Sequence, residues 1–464
     1  MSERAKVLVA GGGVAALEAL LALHELVGKR VRLELLAPGT RFINRPASVA
    51  EPFGLGGPAP LAFADVAAYC GAALHAGTLA GVRPDDHVAV TADDRELSYD
   101  ALVVAVGGRA ADALPGALTF AGPQDVPALA AVLDAAERGD VNTIAFALPP
   151  GIAWALPLYE LAIMTAVELR SRNAGDVQLT LVTAENTPLW LFGEHASAAL
   201  ATMLREREID LVHGHAVAIA NGQLLLERGE QIPADRTIVL PPLQGPWIAG
   251  IPHDDHGFIP VDSHGRVGGA PSVFAAGDAT SFPIKQGGLA SQQADVVATT
   301  LAAELGAIDA APPFRPVLRG LLLTGGAPLY LRAELTAKGT VRRTGHARPA
   351  LRGEVSTRAL WWPPGKVAGR YLAPYMATAR PVALGREPLV DRALTAGAGG
   401  PSEAHEAFEL ALLMADEDAR AGDLSQALHA LDAAAALAGG VLPAEAARKR
   451  DAWRAVLAPM ALSR

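Results

Sequence analysis

The chain has 464 residues, of which 51% are hydrophobic but only 5% aromatic; 19% are charged and the formal net charge is -10. That length exceeds a single hydrophobic core and predicts two or three domains, and an acidic balance without a basic block excludes nucleic acid as the expected partner. The lone cysteine, Cys70, excludes a disulfide framework, a Cys-x-x-Cys redox pair and a thiolate metal site.

The chain does not open on a basic-then-apolar signal pattern. The stretch "KVLVAGGGVAALEALLALHEL" instead predicts a buried strand over 7–10, a tight turn, and an apolar-periodic helix. The turn has the spacing G-x-G-x-x-A. Gly11 permits the sharp turn, Gly13 lets a pyrophosphate approach the backbone, and Ala16 allows close helix–strand packing. The helix start, with Ala15, offers unpaired N–H groups to phosphate oxygens. Such a site also wants an acid at the end of the second strand. Here "VRLELLAP" ends at Ala37, and Glu34 lies inside the strand, so backbone or Arg41 is left to contact a ribose. After "FINRPASVAEPFG", which includes Pro46, a further apolar strand runs through "YDALVVAVGGRA" into Gly107-Gly108.

The stretch "IAFALPPGIAWALPLYELA", residues 144–162, reads as a second strand–turn–helix unit of nucleotide-binding shape. Its turn is wrong for phosphate. Pro149 and Pro150 have no N–H to donate, one glycine stands where three are wanted, and Trp154 is bulky at the point of approach. Glu185, two residues past "VQLTLVT", is placed for a ribose hydroxyl, and no nearby arginine suits a 2′-phosphate. Nicotinamide binding is therefore expected to be weak or absent, with NADH favoured over NADPH. The uncharged run 141–159 holds Asn142, Pro149, Pro150, Gly151 and Pro157, which argue against a membrane-spanning helix. The chain reads as soluble and cytoplasmic, or peripheral to the inner membrane face.

"VFAAGDATSFPIKQGGLASQQADVVATTLAAEL" gives a strand, then Gly277-Asp278, a loop and a long helix. A helix starting near Gly287 aims its positive end at negative charge, Lys285 adds a cation and Gln286 a hydrogen bond. The bland reading of Lys285 is a solvated loop lysine.

With the N-terminal fingerprint, the "VVAVGG" stretch and the "GD" stretch in this order, residues 5–305 resemble the two-dinucleotide-domain flavoproteins. Within them, "FINRPASVAEPFG" and "PIKQGG" are similar to the branch of type II NADH dehydrogenases and sulfide:quinone oxidoreductases. The resemblance implies an α/β fold of two Rossmann-like domains. These are a discontinuous FAD domain, residues 1–112 and 258–311, and an inserted NAD(P)H-type domain with a degenerate fingerprint, residues 113–257. It implies non-covalent FAD, with Asp278 binding its ribityl or pyrophosphate part, and Glu160 of the "ELA" helix near the flavin. There Glu160 is a proton carrier or the partner of a cation; as an acid at a helix start it is explained equally well by the dipole. The flavin-proximal cysteines of sulfide oxidation are missing.

Residues 312–398 read as a third, α+β domain that covers the flavin or forms an interface, with a hairpin at Gly325-Gly326. In "WWPPGKVAGRYLAPYMATARP" the rings of Trp361, Trp362, Tyr371 and Tyr375 stand beside Lys366 and Arg370. Two readings stay open, a membrane-interfacial surface and a domain or dimer interface. His253 and His256 flank two aspartates and read as a polar turn rather than a metal site. His213 and His215 alternate on a strand. Residues 399–464 are acidic and alanine-rich. The stretch 405–439 predicts two helices joined at 421–423, resembling one tetratricopeptide-type unit that must dock on the body or on a partner protein.

The sequence thus predicts an FAD-dependent oxidoreductase. It passes electrons from a small-molecule donor, with NADH the open candidate, to a quinone or another acceptor. The rival reading is a flavin-binding regulatory or partner subunit with little turnover.

Overall fold

The computed structural model describes residues 4–55, 60–340, 343–344, 350–351, 353–361, 363–378 and 442–462, with isolated positions between 412 and 435. Two five-stranded parallel sheets form its frame. The first has the order Val273–Ala275, Ala101–Val104, Ala5–Ala10, Val31–Ala37, Ala73–Ala76. The second has the order Leu118–Thr119, Arg236–Val239, Thr143–Ala147, Gln178–Thr183, Ile209–His213. The strands read as apolar runs because helices cover the sheets and leave the central residues no exposed face. Leu8, Val9, Leu102 and Val103 in the first sheet, and Ala145, Phe146 and Leu181 in the second, are wholly buried.

The α/β class with two Rossmann-like sheets is therefore as the sequence predicts. Strand Val273–Ala275, far along the chain, joins the first sheet beside Ala101–Val104. Helix Val14–Val27 packs along helix Gly287–Glu304 through Ala16, Leu20, Ala294, Val297 and Leu301, all buried in one core. This pairing brings the starts of two helices that are 273 residues apart to one edge of the sheet. In the second sheet, helix Leu156–Ser171 follows Thr143–Ala147 after the proline turn.

A third, antiparallel sheet comprises Val317–Leu322, Leu329–Glu334 and Gly353–Ser356. Its hairpin turns through Gly325 at a φ of 76°. Gly320 permits close docking on the second unit, since a Cβ there would lie 2.7 Å from Leu156 Cδ1 and 2.8 Å from Phe192 Cζ. Residues 363–378 then return across both parallel-sheet units and end in the helix Leu372–Thr378. The predicted helix pair over 405–439 lies outside the described residues, apart from isolated positions. A further helix, Ala444–Leu462, is tied back by a 2.6 Å bond from Arg454 to Asp432. Among the described residues no helix is long and apolar enough to cross a membrane.

Candidate active site

The two parallel-sheet units and the third sheet enclose a cleft of about 680 Å³. Its size falls within the roughly 300–1,000 Å³ of small-molecule sites. Its first wall is the turn Gly12-Gly13-Val14-Ala15. Gly11 lies beneath, at a φ of 140°, and a Cβ there would overlap the carbonyl of Ala105, so glycine is required for the crossing. At Gly13 an added Cβ would meet no atom within 4 Å, because that position opens on the cleft. Helix Val14–Val27 has no side-chain cap and no acid in its first turn, so its leading N–H groups are left for an anion. Ala16 is buried under this turn and packs rather than lines.

The second wall comes from Gly277 to Ala290. Gly277 also packs: at a φ of 76°, its Cβ would stand 2.8 Å from that of Ala15 and 3.3 Å from that of Ala290. It turns the chain so that Asp278 reaches the cleft. Burial raises the Asp278 carboxyl above its ordinary range, opposed by the positive charges of Lys285 and Arg45. Lys285 donates to the carbonyl of Thr280 and lies 3.6 Å over the Phe258 ring. Burial lowers its ammonium to about 8, opposed by Asp278 and Asp254. Lys285 is half-buried on the cleft wall. Gln286 lines the cleft but is occupied differently from the expectation. Its amide donates to Arg319 O at 2.9 Å and its Oε1 accepts from Leu289 N at 2.8 Å, which caps helix Gly287–Glu304. Arg41, Pro46, Gly107 and Gly287 complete this part of the lining.

The third wall is the turn 149–154 and the helix after it. Gly151 takes a φ of 89°, and Ile152, Trp154 and Leu156 present apolar surface to the cleft. Trp154 is half-buried, edge-on to Phe192 at 6.0 Å. Glu160, 1% exposed, accepts from Leu323 N at 2.8 Å and from the ammonium of Lys366. Burial pushes the Glu160 carboxyl up and the Lys366 ammonium down, while their pairing opposes both shifts. Glu160 Oε2 is buried without a hydrogen-bond partner among the described residues.

Two sequence expectations are corrected. Glu185 is not presented to a ribose. Its Oε2 accepts from the buried Tyr159 hydroxyl at 2.8 Å and from Leu189 N at 3.4 Å, and burial raises its carboxyl to about 7. Of the aromatic stretch, Trp361, Lys366, Val367 and Leu372 are buried between units, which fits the domain-interface reading, while Trp362 lies outside the described residues. His215 falls after the strand Ile209–His213 rather than on it. His253 and His256 sit in a polar turn as expected, with Asp254 accepting from His256 N and Phe258 N, and His256 reaches the cleft edge. No cluster of three His, Cys, Asp or Glu among the described residues is arranged for a metal. Cys70 is buried, its thiol raised to about 12, and stands apart from the cleft.

Sequence reasoning missed Lys366, Arg319 and Arg45 on the cleft wall. Lys366 stands among aromatic residues that suit a membrane face and an interface equally, so its place in a cleft was not legible. The arginines carry no local pattern.

Residues 159–295 match the family of pyridine nucleotide-disulphide oxidoreductases. Among solved structures, the chain resembles the sulfide:quinone oxidoreductase of the hyperthermophilic bacterium Aquifex aeolicus at 19% identity and a TM-score of 0.66, over 76% of this chain and 86% of that one. A ferredoxin reductase of Rhodopseudomonas palustris aligns at 18% identity and a TM-score of 0.57, over 72% and 83%. NDH2 of Plasmodium falciparum aligns at 14% identity and a TM-score of 0.50, over 60% and 64%. At these identities the likeness is one of fold, and it agrees with the family branch that the sequence motifs suggest.

Proposed function

With residues 159–295 matching the pyridine nucleotide-disulphide oxidoreductases and the two-sheet frame shared with oxidoreductases of that fold, we propose that this chain is an FAD-dependent oxidoreductase that makes little use of NAD(P)H. The observation that carries the reading is the shape of the cleft. Gly13 leaves it open where a Cβ would project, the uncapped helix start stands beside it, and Asp278 faces in from the opposite wall. Pyrophosphate suits the N–H groups of residues 13–16, and Asp278 and Arg41 suit hydroxyl and phosphate groups. A bound flavin supplies reversible electron acceptance and release. The protein supplies the rest: the start of helix Gly287–Glu304 and Lys285 favour negative charge at their end of the cleft, and Ile152, Trp154 and Leu321 keep water away. The Glu160–Lys366 pair holds a proton that both groups compete for, at the inner end of the cleft.

Against nicotinamide stand the two prolines of the turn and the inward Glu185. Each lost donor costs about 1–3 kcal/mol when a phosphate oxygen is left unpaired, which moves a micromolar affinity toward millimolar. The acceptor that fits an apolar wall beside a buried proton-holding pair is a quinone or similar planar carrier. The test is to release and identify the flavin of the purified protein, photoreduce it without oxygen and add menadione. Stoichiometric FAD, reoxidised within seconds, is expected. Protein without flavin refutes the reading, and flavin that menadione cannot reoxidise favours the partner-subunit alternative.

A further inference from the structure

Lys366 is an ammonium brought into the cleft by a segment that belongs to neither parallel-sheet unit. Its side chain is 7% exposed. A lysine there must be held, because water solvates the ammonium far better than the interior does. The segment is fastened on both sides. At one end Trp361 is buried edge-on to Tyr330 at 5.1 Å, and its indole N–H donates to Gly365 O at 3.2 Å. At the other end the N–H groups of Tyr371 and Leu372 donate to Glu18, at 2.7 Å to Oε1 and 2.8 Å to Oε2. Lys366 stands midway, five residues from each anchor. Between them Val367 packs over the start of helix Gly287–Glu304, where a Cβ on Gly287 would lie 3.3 Å from Val367 Cγ2.

Glu18 is the unusual member. It lies on helix Val14–Val27, one turn beyond the cleft-lining Val14, with no solvent exposure and no place on the cleft wall. Burial raises its carboxyl, and the N–H groups of Tyr371 and Leu372 oppose the shift. Asp295 on the facing helix is raised well above its ordinary range by burial and by the negative charge of Glu18, opposed by Arg370 and Arg319. Of the two carboxyls, Glu18 is the one that accepts the N–H donors, which favours its charge over that of Asp295. Gly369 is shaped to this contact, since a Cβ there would overlap Glu18 Oε2 and come 3.0 Å from Ser291 Oγ.

We propose that Glu18 is a positioning residue: by gripping residues 371 and 372 it draws the 361–372 strap onto the first helix and so holds Lys366 against Glu160. The two buried carboxylates pin one strap to two different units, Glu18 to the first and Glu160 to the second. A local helix cap alone would stabilise Leu372–Thr378 and leave Lys366 where it is. The use of Lys366 toward a flavin rests on the proposed function, but its confinement by the strap does not.

The test is amine acetylation of the full-length, flavin-loaded protein, read by peptide mass spectrometry, with exposed Lys338 as internal reference. In the wild type Lys366 is expected to react at least tenfold more slowly than Lys338. Glu18→Ala should raise the Lys366 rate about tenfold, and Glu18→Gln, which keeps one acceptor, by less. Gly369→Ala, which forces the strap off from outside the helix, should unmask Lys366 even where Glu18→Ala does not fold. Leu23→Ala, a buried cavity further along the same helix, should leave Lys366 protected. Lys366 equally protected in a folded Glu18→Ala or Gly369→Ala protein overturns the proposal, as does equal unmasking by Leu23→Ala. Flavin content measured on the same samples bears on the proposed function alone.

Discussion

Replacing Glu185 by Gln should stabilise the protein at pH 8 and change little at pH 5. The carboxyl titrates near 4.5 when unperturbed and at about 7 in the fold, chiefly because burial disfavours its charge. Below pH 4.5 both states carry the proton and the residue contributes nothing. Between 4.5 and 7 the unfolded chain releases its proton while the fold retains it, so rising pH favours unfolding. Above 7 the penalty is complete. At about 1.4 kcal/mol per unit, a raise of roughly 2.5 units amounts to about 3 kcal/mol. Glutamine keeps an oxygen for the Tyr159 hydroxyl and for Leu189 N, both of which now bond the same carboxylate oxygen. Melting temperatures of wild type and variant from pH 4 to 9 supply the assay, and their difference isolates Glu185 from the other titrating groups. The variant should gain several degrees at pH 8 and almost none at pH 4.5. A variant no more stable than the wild type at pH 8 would refute the buried-acid account.

Gly13→Val should abolish flavin retention while leaving the fold intact, because its side chain fills open cleft rather than protein; visible absorbance at full occupancy would contradict this. Asp278→Ala should lower flavin occupancy more than Asp255→Ala, since only Asp278 faces the cleft; equal occupancy would remove Asp278 from the site. Lys285→Met should lower the flavin midpoint potential by on the order of 30 mV, about 1.4 kcal/mol for two electrons. That difference should be full below pH 8, where the ammonium is charged, and fade above it. A potential unchanged at pH 7 would reduce Lys285 to a packing residue.

The sheets were readable because their signals are local. An apolar run ending in Gly11-Gly12-Gly13 or Gly277-Asp278 specifies strand and turn within a dozen residues. The degenerate turn was equally plain, as proline has no N–H in any fold. What escaped the sequence depends on long-range packing. Glu185 sits where a ribose acid belongs, and only its contact with Tyr159, 26 residues away, turns it inward. Lys366 meets Glu160 across 206 residues, and Glu18 meets Tyr371 across 353. The aromatic residues around Lys366 suggested a membrane face as readily as an interior, because burial at an interface selects the same amphipathic types. Gln286, expected to reach a cofactor, caps its own helix with its side-chain oxygen and donates its amide N–H to Arg319 O, 33 residues away.

The proposed function joins a flavin in this cleft to a second nucleotide-type fold whose Pro149-Pro150-Gly151 turn makes little use of nicotinamide. Anaerobic titration of the oxidised protein with NADH and NADPH, followed through the flavin absorbance, tests it most directly. The prediction is a flavin that stays oxidised at micromolar cofactor, with bleaching confined to millimolar concentrations or absent. Rapid, saturable bleaching at micromolar NADH would show that the Pro149-Pro150-Gly151 turn binds nicotinamide after all, and would contradict the account.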